Sequence, residues 1–312
     1  MRTGPRSGDP ALAASLRTSK TRHGERLAMG GLMGAAGLSV LITIGIFVSL
    51  LLPALQFFRE VSVLDFLTGT RWAPRFADAG FGVLPLVTGT LWTTVIGLLI
   101  AVPFGLGAAV YLSEYAHERV RKVLKPVLEV LAGIPSVVYG YFALTFVGPL
   151  VLKDLLHIDV GTFSVLAAGL VLGVMIIPTV ASLSEDAMSA VPQALRQGSY
   201  ALGANKMRTT MRVVFPAAIS GITASIVLAL SRAVGETMIV ALAAGTRAQM
   251  VTSPTMNGQT MTGFIAQTAT GESTPGTLTY NTLFAVGLLL FIITLVINLI
   301  AARIVRRIRE VY

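Results

Sequence analysis

The chain has no cysteine, which removes disulfides, thiolate metal sites and cysteine nucleophiles at once. Charge is scarce as well. Asp, Glu, Lys and Arg make up 12% of the 312 residues, about half the share found in soluble domains. The three histidines, His23, His117 and His157, are too far apart in sequence to suggest a metal cluster. A phosphate-cradling GxxxxGK[ST] loop is missing too. Gly198 and Gly203 have its spacing, but Ala204 and Asn205 stand where Lys and Ser/Thr are required, so ATP is not hydrolysed on this chain. No Ser/His/Asp set or paired-carboxylate site is recognisable, and no catalytic residue is nominated.

Apolar length is what the chain has in abundance. Hydrophobic residues make up 54% and mean hydropathy is +0.76, the signature of a membrane protein. Runs long enough to cross about 30 Å of hydrocarbon, which takes about 20 residues, lie near 30–52, 84–112, 127–151, 162–184, 217–243 and 281–303. The expectation is an all-α membrane protein with six transmembrane helices in one permease domain over 27–312. Residues 1–26 read as a disordered basic tail rather than a cleaved leader, because the apolar run that follows is too long for a signal peptide. Gly30 with Gly34 and Gly169 with Gly173 match GxxxG, a weak signal among 31 glycines.

The formal charge of +9 belongs to the membrane and not to nucleic acid, since no basic stripe is interleaved with exposed aromatics. Of 24 Lys and Arg, six lie in the N-terminal tail, four in 114–126, four in 185–216 and four in the C-terminal tail. The positive-inside rule then places both termini in the cytoplasm. Arg59, Arg71, Arg75, Lys153 and Arg247 fall outside and read as residues of solvated loops, with the gathering of an anion by Arg71 and Arg75 as the alternative. The Thr- and Gly-rich exterior segment 246–279 reads either as a contact for a binding protein or as a solvated loop.

Two polar features interrupt the apolar pattern. Between the fourth and fifth spans, residues 185–216 are too charged for lipid and too helix-friendly for a loose connector. Met207, Met211 and Val214 form one row and Arg208 and Arg212 another, so the segment looks like a docking element. Gly203 and Pro216 predict a short helix, a bend and a second helix leading into the membrane. The other feature is Arg232, with Glu236 and Thr237, inside the fifth span. A charge at mid-membrane costs at least about 2.5–3.5 kcal/mol, and a helical i, i+4 pair returns about 0.2–0.5 kcal/mol. Placed on one helix face, Arg232 and Glu236 form either a polar translocation path, with the guanidinium supplying donors to an oxyanion, or a structural ion pair against a partner helix. Glu129, near the end of the expected third span, reads as a solvated cap.

Gln197-Gly198-Ser199-Tyr200-Ala201-Leu202-Gly203, followed by Val213-Val214-Phe215-Pro216, resembles the cytoplasmic EAA loop of ABC importer permeases in spacing from end to end. Gln197-Gly198-Ser199 replace its Glu-Ala-Ala. The resemblance assigns Gln197, Gly198, Ser199, Ala201, Leu202, Gly203, Ala204 and Pro216 to coupling with an ATPase subunit. The segments Gly82–Ala116, Leu128–Leu144 and Leu230–Gly245 resemble phosphate-importer permeases of the PstC type, over roughly 60–312. That implies a type I ABC importer permease fold with the coupling helix between spans 4 and 5. It also implies a second related permease, ATP-binding cassette subunits carrying ATP and Mg, and an extracytoplasmic phosphate-binding protein as partners. Arg232, Glu236 and Thr237 would line the phosphate path. The alternatives at this stage are a permease for another oxyanion or solute, a stand-alone ion-coupled transporter or channel, and a membrane scaffold.

Overall fold

The computed structural model describes residues 23–271 and 274–308, so the tail assignment for residues 1–22 lies outside the described residues. The chain divides into two units, residues 1–50 and 51–312. The described part of the first unit is the beginning of helix α1 (His23–Glu60), with Glu25 in its first turn and Arg59 in its last, each matched to the helix dipole. At 38 residues α1 is far longer than the expected 30–52 run, and Gly30 and Gly34 have no neighbour within 4 Å of a Cβ built on them.

In the second unit, a short helix α2 (Val63–Thr68) and the hairpin β1 (Trp72–Ala73) with β2 (Gly80–Phe81) lead into α3 (Leu84–Val110), which runs on through a π-helical turn to Tyr115. Next come α4 (Glu118–Gly133), α5 (Ser136–Phe142, continuing π-helically to Leu155) and α6 (Val165–Ser189). The short α7 (Gln193–Ala201) precedes α8 (Lys206–Thr209), which continues through a π-helical turn to Ala217. Helices α9 (Ile219–Gly235), α10 (Met238–Ala243), α11 (Met261–Thr270) and α12 (Leu278–Ile308) complete the fold. Among the described residues, five helices are long and apolar enough to cross a membrane, or six when the bent pair α8–α9 is counted as one span.

The core is the seam between α3 and α6, and glycine makes it possible. A Cβ on Gly173 would lie 2.8 Å from the Gly97 carbonyl oxygen, and one on Gly169 2.7 Å from the Ile96 Cβ. Of the two GxxxG matches, 169–173 is therefore a packing surface, where small residues let helices approach closely. Ala168, Leu172, Ile176 and Val180 of α6 are fully buried against this seam.

Two expected spans are corrected. The third is not 127–151. Residues 118–133 form a separate amphipathic helix with no buried residue, and the chain then turns at Ile134 and Pro135, both extended, before the span restarts at Ser136. Proline lacks an N–H and disfavours helix in the residue before it, so Gly133-Ile134-Pro135 ends one helix and begins another. Glu129 thus lies on α4, outside any span. The fifth span, expected over 217–243, is broken. Helix α9 ends at Gly235, and α10 starts only after Glu236 and Thr237.

Candidate functional site

The break in the fifth span brings together part of what the sequence grouped. Glu236 is extended (φ −65°, ψ 133°), so it leaves the helix face that carries Arg232. Its Oε1 accepts from the backbone N–H groups of Met238 (3.0 Å) and Ile239 (3.3 Å), capping α10. Free N–H groups at a helix start attract a carboxylate, and this satisfaction of the broken backbone is what draws Glu236 away. The Glu236 carbonyl accepts from Thr262 Oγ1 at 2.6 Å, which ties the break to α11. Thr237 Oγ1 donates to the Gly235 carbonyl at 3.2 Å.

Arg232 makes no ion pair among the described residues. Its Nη1 donates to Thr179 Oγ1 of α6 at 3.3 Å. Tyr139 of α5 is fixed by donating to the Leu131 carbonyl at 2.9 Å. The guanidinium is exposed on this chain, with most of its five donors uncommitted. Among the described residues, Arg232 and Glu236 do not pair with each other.

At the far end of α6, α7 and α8 have the predicted helix–bend–helix form. Gly203 has φ +79°, a left-handed turn that suits glycine, and Asn205 Oδ1 caps α8 by accepting from the Arg208 N–H at 2.8 Å. Ser199 faces inward, its hydroxyl 2.9 Å from that of Thr209, and its carbonyl accepts from the Ala204 N–H. Gln197, Gly198, Ala201 and Leu202 are exposed, Leu202 at 90%. Pro216 sits inside the last turn of α8, and the 70° bend into α9 falls two residues later at Ala218. The predicted apolar row divides. Val214 is buried, whereas Met207 and Met211 stay exposed beside Arg208 and Arg212.

What holds α7 in place escaped the sequence reading. Arg196 is 7% exposed, and its Nη2 donates to Glu114 Oε1 (2.9 Å) and to the Met188 carbonyl (2.8 Å). A buried charge is tolerated when its donors are matched in this way. The signal was present in Glu114, an acidic residue closing a long apolar run. A second cluster joins α4 to α6. Glu185, buried to 1%, accepts from Arg121, from Lys125 Nζ (2.8 Å) and from Ser189 Oγ (3.0 Å). Hydrogen bonds from Lys125 to Asp186 and Glu185 hold its ammonium above the usual lysine range.

Of the expected exterior segment 246–279, the described residues are more than a solvated loop, with Thr246 and Arg247 exposed and much of the remainder packed. Trp92 Nε1 donates to the Val251 carbonyl (2.9 Å), Val165 and Leu166 donate from backbone N–H to Met256 and Pro254, and Gln259, Met261 and Phe264 are buried. It folds back between α3 and α6, and its second half is α11.

Residues 101–310 match the family described as binding-protein-dependent transport system inner membrane component. The probable ABC transporter permease protein YqgH of Bacillus subtilis is 38% identical over 266 residues, 84% of this chain and 83% of the relative. The phosphate transport system permease protein PstC of Mesorhizobium japonicum is 32% identical over 88% of both chains. PstC 1 of Mycobacterium tuberculosis is 35% identical over 78% of this chain and 82% of its own. Among solved structures, a bacterial alginate ABC transporter in complex with an alginate-bound periplasmic protein gives a TM-score of 0.64 at 16% identity, over 94% and 98% of the two chains. The MetNI methionine ABC transporter gives 0.53 at 21% identity, over 73% and 95%. The fold is that of type I ABC importer permeases, with α7 as the helix between the fourth and fifth spans. The match over 101–310 and the curated relatives together place this chain in the family of binding-protein-dependent transport system inner membrane components.

Proposed function

We propose that the chain is the membrane-spanning permease subunit of an ATP-driven importer that moves inorganic phosphate into the cell. The observation that carries the reading is α7, a helix anchored from behind by the buried Arg196–Glu114 pair while its outer face and Leu202 stand open. Tyr200, Leu202, Met207 and Met211 leave several large apolar side chains exposed on this otherwise polar element, which supports a protein contact there. With no nucleotide loop of its own, the chain takes its energy from ATP and Mg²⁺ on separate ATP-binding cassette subunits that grip α7. A second related permease completes the path, and an extracytoplasmic phosphate-binding protein delivers the anion. Both termini and α7 face the cytoplasm, a placement supported by the 18 of 24 Lys and Arg in the tails and the 114–126 and 185–216 segments.

Phosphate as substrate is supported by the relatives named as phosphate permeases and by the uncommitted donors of Arg232 at the helix break. A guanidinium with free donors matches a tetrahedral oxyanion. Closure of the ATP-binding subunits moves α7 and α8 as one lever, and the helices rock around the break, which gives Arg232 alternating access to the two sides. Uptake of labelled phosphate by vesicles holding the complete complex tests the assignment. Saturable uptake that excess sulfate leaves unchanged is the expected result, whereas transport of sulfate with abolition of phosphate uptake reassigns the substrate.

A further inference from the structure

The end of the bundle away from α7 carries a cavity of about 670 Å³ that the transport reading leaves unassigned. Arg71 and Arg75 enter it from the β1–β2 hairpin, and Arg247 enters just after the positive-φ residue Gly245. Its floor is aromatic and polar. Trp72 and Phe264 meet edge to face at 5.0 Å, and the buried Gln259 donates to Gln267 at 2.7 Å. No carboxylate lines it among the described residues. Asp78 pairs with Arg71 at the rim, Arg75 Nη2 lies 3.4 Å from Thr268 Oγ1, and Arg247 makes no ion pair among the described residues. Trp72 Nε1 is buried without an acceptor among the described residues.

Three guanidiniums against one peripheral carboxylate leave the cavity net positive, which favours an anion among them. The cavity is also joined to the break in the fifth span. Helix α10, roughly 9 Å long at 1.5 Å per residue, starts at the Glu236 cap and ends three residues before Thr246 on the cavity wall. Gln259 precedes by three residues Thr262, whose hydroxyl donates to the Glu236 carbonyl.

We propose that this cavity is an oxyanion-binding vestibule that takes inorganic phosphate before it reaches Arg232. The inference rests on the phosphate-importer reading and its orientation. Arg75 and Arg247 hold the anion, Arg71 is balanced by Asp78, and Arg232 forms the next positive station inward.

The absence of cysteine supplies a test that needs no transport. Thr246→Cys puts one thiol on the exposed cavity wall, in the complete complex without binding protein. Its modification by an anionic methanethiosulfonate reagent is compared with that by a cationic one, after subtraction of a parallel complex retaining Thr246. The expected result is an anionic preference of about tenfold or more, slowed by millimolar inorganic phosphate and lost when Arg75→Gln and Arg247→Gln are added. Equal rates for the two reagents with no protection by phosphate would overturn the proposal. So would a preference that phosphate does not touch but the empty binding protein blocks, which makes the surface a docking site. Phosphate protection in a complex that shows no ATP-driven uptake keeps the vestibule and removes the importer reading.

Discussion

A guanidinium at a broken transmembrane helix must be solvated, and on this chain Arg232 finds the Thr179 hydroxyl and no carboxylate. Because Glu236 is spent on capping α10, Arg232→Ala removes a charge without orphaning a buried partner. The variant is expected to lose phosphate uptake almost completely while co-purifying with its partner subunits at wild-type yield. Loss of assembly instead would return Arg232 to a structural role. The Lys125 ammonium gives a second residue-scale expectation. Asp186 and Glu185 raise its pKa above 10.5, so its stabilising contribution is complete below that value and is lost as pH rises through the raised one. Thermal stability should therefore be insensitive to Lys125 titration between about pH 6 and 9. An alkaline loss in the wild type that is absent in Lys125→Met is the expected outcome of melting curves across pH.

In the proposed coupling role α7 has to move as a body, and two devices give it stiffness. The Arg196–Glu114 pair is buried on both sides, with side-chain exposures of 8% and 5%. Breaking such a pair by removing one partner costs about 3–5 kcal/mol, and replacing both with apolar residues is often near neutral. Arg196→Met alone should lower the melting temperature and weaken capture of the ATPase subunit, and Glu114→Met added to it should restore both. The second device is the turn at Gly203, open around its Cβ but left-handed at φ +79°. A β-branched residue there costs of order 1–3 kcal/mol. Gly203→Val is expected to leave ATP hydrolysis running but uncoupled from uptake, with docking of the binding protein unchanged. Coupled transport at wild-type stoichiometry would show that the bend is dispensable.

These elements also show what was legible. The helix–bend–helix could be read because Gly203 and Pro216 mark breaks chemically. Its anchor could not, because Arg196 and Glu114 are 82 residues apart and only the fold brings them together. Hydropathy found the long spans but merged α4 with α5, since an apolar stripe of Val and Leu on an amphipathic helix raises the average as a buried span does. Helix α11 went unread because it is only ten residues long and its Thr and Gly residues are weak helix formers, and burial against α3 decided the matter. The i, i+4 spacing of Arg232 and Glu236 was real in sequence but not on a helix, because capping of α10 outcompeted continuation of α9.

Across the whole molecule, the pieces form one line. Positive charge gathers at the hairpin cavity, recurs at Arg232 within the break, and gives way at the other end to an anchored helix with an open face. The break, α10 and α11 are connected through the Glu236 carbonyl, the link through which the proposed movement of α7, α8 and α9 would reach the cavity. The central claim is that phosphate crosses this line only when ATP is hydrolysed by partners acting on α7. It is tested most directly by loading proteoliposomes containing the complete complex with ATP or with a non-hydrolysable analogue and counting internal labelled phosphate. The account predicts uptake with ATP and none with the analogue. Uptake at the same rate in both, or driven by an ion gradient alone, would contradict it.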